Sequence, residues 1–206
     1  MCVALSLLNF DLSMIDDFKD YLRLQTDLSE EDIQHICGLA IQRKIRRNEF
    51  LLREGEVCRH KIFIVKGMLR TFGMTPDGGE HILQFSTEEN WTLDVESYDN
   101  QTPARCNISA VEPSEVLLWA KADFQNLLAT LPQLKYFSEL LIARNIYSSR
   151  QRMLTILSAS PEEKYEDFVN YYPGLLSRLP LRMIAGYLGI SLKTLNRVRH
   201  AQLVRH

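Results

Sequence analysis

The 206-residue sequence predicts an α+β chain: N-terminal helices, a β jelly roll, one long helix and a small all-α C-terminal domain. Three observations carry this. Between about residues 42 and 120 the apolar residues fall in short runs separated by Gly, Pro, Asn and acidic breaks, as in many short strands. From about 133 to 157 the apolar period lengthens to alternating steps of three and four. From 181 to 200 two short amphipathic segments flank Gly189. With 46% hydrophobic residues, the chain is able to bury a sizeable core.

Residues 10–26 read as a helix with Met14, Ile15, Phe18, Tyr21 and Leu22 on one side. Ser29 starts a second helix, with Asp32 placed to reach back as in a capping box. Ile33, Ile36, Cys37 and Ala40 form its apolar stripe. Ile41, Ile45 and Phe50 to Leu52 then lie in short segments broken by Asn48-Glu49 and Arg53-Glu54-Gly55-Glu56. Ile62 to Val65 is a buried strand that ends at Gly67, and Met68 to Met74 is the next. Thr75-Pro76-Asp77-Gly78-Gly79 is a hairpin turn, because Asp-Gly and Gly-Gly supply positive φ values. Glu80 to Phe85 returns, and further strands fall near Cys106 to Val111 and Glu115 to Trp119.

Lys121 to Leu131 is helical, with Phe124, Leu127, Leu128 and Leu131 inward, and it stops at Pro132. In the longer helix that follows, Leu140, Ala143, Tyr147, Arg150, Leu154 and Leu157 make a heptad-like seam suited to a second copy of the chain. Arg150 interrupts it, and the alternative is a helix packed only on its own domain. Ser158-Ala159-Ser160-Pro161 is a hinge, with Ser160, Pro161 and Glu163 set as cap, first residue and capping-box acid of the next helix. The expected division is an N-terminal unit over 1–132, the long helix over 133–157 and a C-terminal unit over 158–206.

In the C-terminal unit Ile184, Ala185 and Leu188 give the first short helix its apolar face, and Gly189 takes the corner. Ser191 caps the second, with Leu195 and Val198 inward. Lys193, Thr194, Asn196, Arg197 and Arg199 remain outside. This is a helix-turn-helix pattern, whose second helix enters a DNA major groove. An ordinary helical hairpin with a solvated face is the alternative, and charge decides against it. The stretch from Phe168 to His206 holds Arg178, Arg182, Lys193, Arg197, Arg199 and Arg205, and none of the chain's 26 acidic residues. A one-signed basic tail suits phosphate contact, although the whole chain carries a net charge of −2.

Other classes find less support. Cys2, Cys37, Cys58 and Cys106 lack C-x-x-C or paired spacing, which fits reduced cytosolic thiols rather than disulfides or an iron–sulfur cluster. The start, MCVALSLLNF, has no basic n-region and no long apolar run, so neither a signal peptide nor a membrane span is expected. A cupin metal site needs His-x-His, and among His35, His60, His81, His200 and His206 no two are two residues apart. There is no nucleophile elbow, Walker loop or Gly-rich dinucleotide turn. No catalytic set, metal site or cofactor is expected, and the chain does not read as an enzyme.

The segments EFLLREGEVCRHKIFIVKGMLR and IAGYLGISLKTLNRVR, together with the 121–157 helices, resemble the bacterial cyclic-AMP receptor superfamily of transcription regulators, the Crp/Fnr family. The likeness covers nearly the whole chain and implies a cyclic-nucleotide-binding-like jelly roll. It also implies a cytoplasmic homodimer paired through its long helices, with double-stranded DNA as partner and RNA polymerase as a further one. Leu192, Lys193 and Arg197 match the family's base- and phosphate-contacting positions, with Ser191 at the turn. Arg182, Thr194, Asn196 and Arg199 complete the expected DNA-binding set. Leu192 departs from the long polar residue usual there, and the family's small β-wing is expected to be missing or replaced. In the family's nucleotide binders a Gly-Glu pair holds the ribose and an Arg-Ser pair the cyclic phosphate. Here Leu93-Asp94 stands for the first, and Ala104-Arg105 or Arg105-Cys106 for the second. Asp94, Glu96, Arg105 and Cys106 are thus the candidate effector pocket, or else a local ion pair beside a closed interior. The implied function is DNA-binding regulation that does not answer to cyclic AMP, with either a different, unknown small-molecule effector or control by abundance alone. The second function class is a ligand-sensing module that acts on a protein or RNA partner through its basic tail.

Overall fold

The structure, a computed structural model, describes residues 12–75 and 78–203, with side chains to residue 201. The stretch MCVALSLLNF with Cys2, the turn residues Pro76 and Asp77, Arg205 and His206 lie outside the described residues.

The N-terminal helices form where the apolar spacing puts them. Helix α1 (Leu12–Gln25) buries Met14, Ile15, Phe18, Tyr21 and Leu22. In α2 (Glu30–Gly38) the Ser29 hydroxyl accepts from the Asp32 N–H at 3.1 Å and donates to the Asp32 carboxylate at 2.7 Å. Three acidic residues in its first turn meet the positive end of the helix dipole.

Two four-stranded antiparallel sheets follow. One has the order β1 (Ile41–Ile45), β8 (Ser114–Ala120), β3 (His60–Lys66), β6 (Trp91–Thr92). The other has β2 (Phe50–Leu52), β7 (Asn107–Ala110), β4 (Leu69–Met74), β5 (Glu80–Ser86). Ile45, Leu52, Ile62, Ile64, Leu69, Ile108, Val116 and Leu118 pack between them. A short helix that the apolar pattern did not reveal, α3 (Val95–Asn100), crosses from β6 toward β7. The described thiols Cys37, Cys58 and Cys106 are all buried and free.

Helix α4 (Lys121–Thr130) is followed by α5 (Pro132–Ser158). Pro132 ends α4 and also opens α5, because its missing N–H is one that a first turn leaves unpaired anyway. Helices α1, α2, α4 and the start of α5 close over the outer face of the β8–β3 sheet. Their core is aromatic: Phe18 lies 4.7 Å from Phe63 and 5.0 Å from Trp119 between ring centroids. Lys61 of β3 is half-buried at its edge, with Nζ 4.3 Å from the Phe124 centroid and donating to the Ser138 hydroxyl at 3.1 Å.

The last helices are α6 (Pro161–Tyr171), α7 (Leu181–Leu188) and α8 (Leu192–Leu203). Ser160 and Glu163 form the full capping box on α6. These helices do not keep a separate core. Tyr165, Phe168, Ile184, Tyr187 and Leu188 join Met68, Phe72, Ile82 and Phe85 of the jelly roll in one apolar cluster. Helix α7 lies directly on β5, and a Cβ added at Gly186 would stand 2.9 Å from the Glu80 carbonyl oxygen. Arg152 of α5 donates to the carbonyls of Ile82 and Tyr187 at 2.8 Å, donates also to that of Leu83, and lies 3.8 Å over the Tyr187 ring. Arg178, between α6 and α7, pairs with Glu88 through two hydrogen bonds of 3.1 and 2.7 Å and with Glu112.

Two predictions follow from this packing. Burial lowers the Lys61 pKa to about 8. The unfolded chain then holds more protons than the folded one from about pH 8 up to the ordinary lysine value, so stability gains a component that rises across that window. Lys61→Met should raise the denaturation midpoint at neutral pH and flatten that rise, as read from urea titrations across the range. The second concerns the close approach at Gly186. The neighbour there is backbone, which has no room to yield, so Gly186→Val should lift α7 off β5. Limited proteolysis should then cut between α5 and α7 faster than in the wild type, with the strands still folded by circular dichroism.

Candidate nucleic-acid interface

The corner between α7 and α8 is built from local chemistry. Gly189 ends α7 in the left-handed region at φ 65°, where a side chain would be strained. Two residues on, the Ser191 hydroxyl accepts from the Thr194 N–H at 3.0 Å and starts α8. Ile184, Ala185, Leu188, Leu195 and Val198 are buried together, which fixes the crossing of the two helices.

That packing leaves one face outside. Leu192, Lys193, Asn196 and Arg197 of α8 are exposed, as is Arg182 at the start of α7. Ser191 is exposed at the corner, and Thr194 and Arg199 are half-buried. No acidic residue occurs on α7 or α8. The nearest acid is Glu162 of α6, whose carboxylate meets the Arg197 guanidinium at 3.1 Å. Both groups are in solvent, so this pair is worth well under about 1 kcal/mol and a phosphate or base edge displaces it readily. The surface is a convex helix with a one-signed outer face, chemically suited to a polyanion.

The seam residues of α5 share an exposed stripe. Leu140, Tyr147, Leu154 and Leu157 face solvent, Leu157 at 79%, as does Arg150, with Ala143 half-buried between them. Tyr136, Ile146 and Met153, which the sequence reading passed over, widen the same stripe. The opposite side of the helix carries Arg152 and faces the terminal helices. Arg152 and Arg178 were also missed as structural residues, since their partners lie far away in sequence.

The segment expected to form an effector pocket has a different arrangement. Asp94 caps α3, accepting from the Ser97 N–H at 3.0 Å, and also accepts from the Cys106 thiol at 3.0 Å. The Ser97 hydroxyl receives the Cys58 N–H at 2.8 Å and donates to the Thr102 carbonyl. These contacts bring Asp94 and Cys106 together. Arg105 is not with them: its side chain is 85% exposed and stands 3.8 Å from Glu96, itself in solvent. Burial, and next the neighbouring Asp94, push the Cys106 thiol up to about 12, so it stays protonated. The inward groups here are a carboxylate and a thiol already committed to each other. Among the described residues no three His, Cys, Asp or Glu side chains gather as a metal site would require.

Residues 42–131 match the family model of the cyclic nucleotide-binding domain. The chain is 27% identical over 193 residues to the transcriptional activator protein Anr of Pseudomonas aeruginosa, covering 86% of this chain and 77% of that one. It is likewise 27% identical to the transcriptional activator protein FnrA of Stutzerimonas stutzeri, with the same coverage. Among solved structures, FixK2 from Bradyrhizobium japonicum superposes with a TM-score of 0.70 at 17% identity, over 81% of this chain and 85% of that one. The c-di-GMP responsive regulator CLP of Xanthomonas campestris superposes at 0.69 and 11% identity, over 86% and 93%. Anr and FnrA are both named as transcriptional activators. Residues 42–131 are thus similar to the cyclic nucleotide-binding domain, and the chain as a whole is similar to the Anr and FnrA activators.

Proposed function

We propose that this protein is a homodimeric, sequence-specific DNA-binding transcription regulator whose DNA binding does not depend on cyclic AMP. The observation that carries the reading is the α7–Gly189–α8 corner, with Lys193, Asn196 and Arg197 outward and no acid on either helix. In this reading the start of α8 enters the major groove. Arg197 reads a base edge there, and Arg182, Ser191, Leu192, Lys193, Thr194, Asn196 and Arg199 meet the backbone and groove wall. Residues 1–132 form the regulatory unit, 133–157 the dimerisation helix and 158–206 the DNA-binding unit. The division is one of roles, since the first and last share a core. The protein works in the cytoplasm, where bacterial DNA and RNA polymerase are its partners.

Independence from cyclic AMP is supported by the missing anion donors. The arginine within that segment, Arg105, turns to solvent, and Asp94 is spent on the α3 cap and the Cys106 thiol.

Binding is expected on a two-fold symmetric site with half-sites about 34 Å apart. Gel shifts of the purified protein on its own upstream DNA, with no cyclic AMP present, should show a specific complex. Arg197→Ala should weaken that complex by about 1–3 kcal/mol, the size of one bidentate base contact, and weaken random DNA far less. Equal loss on both would mean that Arg197 touches phosphate alone.

The exposed stripe on α5 generates a further expectation. A carboxylate at its centre would be desolvated without a partner in a dimer. Leu154→Asp should convert the protein to monomers in sedimentation runs and abolish the specific shift, while thermal unfolding of the monomer stays cooperative. A wild-type chain that sediments as a monomer at micromolar concentration would overturn the dimer.

A further inference from the structure

Helices α5, α6 and α7 meet around a cavity of about 290 Å³, close to the lower end of the ~300–1,000 Å³ typical of small-molecule sites. It lies outside the jelly roll and apart from the α3 segment. Its chemistry is uneven in an informative way. One wall is aromatic: Phe168, Tyr172 and Tyr187 pack at centroid distances of 5.5 to 6.1 Å, edge to face or tilted. Ile156 and Leu188 extend that wall. The remaining lining includes two cations, Arg152 and Lys164, against one carboxylate, Asp167. Asp167 is already engaged by the Thr155 hydroxyl at 3.3 Å. Lys164 makes no ion pair among the described residues, and the buried Nε–H of Arg152 has no acceptor. The positive charge of both groups therefore faces the cavity with one carboxylate to offset it, which favours an incoming anion, and Lys164 is the donor free to meet it.

We propose that this cavity binds a small planar aromatic carboxylate. The ring stacks on the tyrosine wall, where aromatic faces and edges attract beyond their buried area. The carboxylate lies on the Lys164 and Arg152 side, where the local charge is positive. The volume of about 290 Å³ admits one or two fused rings. The three helices that line the cavity are the partner-facing helix and two of the terminal helices. Occupancy therefore bears on how α7 and α8 are held, a consequence that rests on the reading of the protein as a DNA-binding regulator, whereas the binding itself does not.

Isothermal titration of the full chain without DNA is the test, using salicylate as the probe with benzamide and hexanoate as controls. Saturable 1:1 binding of salicylate is expected, at least about tenfold tighter than either control, the worth of one charge-assisted hydrogen bond or of the stacked ring. Lys164→Glu should abolish it, and Tyr172→Leu should weaken it about tenfold, with thermal unfolding checked for each. If Lys164→Glu fails to fold, Lys164→Gln at the same half-exposed position should still weaken binding about fivefold. Benzamide or hexanoate binding as tightly as salicylate would overturn the assigned chemistry. Absent salicylate binding, or binding indifferent to the Lys164 and Tyr172 variants, would overturn the site. A parallel gel shift with salicylate should change DNA affinity at least about threefold. Binding without that change would reject the coupling to DNA and leave the site standing.

Discussion

Arg152 holds the two halves of this molecule to each other. Its guanidinium reaches carbonyls of β5 and of α7 at once and lies over Tyr187. A lysine could not do this, because it lacks the planar fork that donates along several directions. Around it the jelly roll and the terminal helices share one apolar cluster, so α7 sits on a sheet face rather than at the end of a tether. The orientation of α8, and with it the basic face, is inherited from that seating. Arg178 adds a second clamp, with Glu88 and Glu112 on separate loops of the jelly roll.

The long helix α5 serves two surfaces. One side offers Leu140, Tyr147, Leu154 and Leu157 to solvent, and the other carries Arg152 inward. A helix is stiff over 27 residues, so a twist imposed on one side is felt on the other within the same turns. This is a physical route by which a contact on the exposed stripe, or filling of the joint between α5, α6 and α7, bears on the seating of α8. No change inside the jelly roll is required for it.

Much of this was legible in the sequence where the signal is local. The caps at Ser29, Ser160 and Ser191, the corner at Gly189 and the buried stripes of α1 and α2 each depend on residues within one or two turns. The strands were found by their breaks. Helix α3 was not found, because six residues are too few for a helical period to show, and its one mark is Asp94 three residues before Ser97. The clamps were illegible for another reason: Arg152 and Arg178 meet partners 35 to 90 residues away. A glycine inside the short α7, at 186, was the available clue that something pressed on that helix. In the candidate pocket the residue types were readable but their directions were not. Arg105 and Cys106 are neighbours in sequence, yet one goes to solvent and the other to the interior.

The buried thiols have a chemical consequence. Burial pushes Cys37 up to about 11 and raises Cys58 as well, and Cys106 is held higher still beside a carboxylate. Peroxide and electrophiles attack the thiolate, a form that these three scarcely populate at neutral pH. The described cysteines are thus poor targets for oxidants at neutral pH, and among the described residues the sulfurs that oxidants reach first are the exposed thioethers of Met74 and Met153.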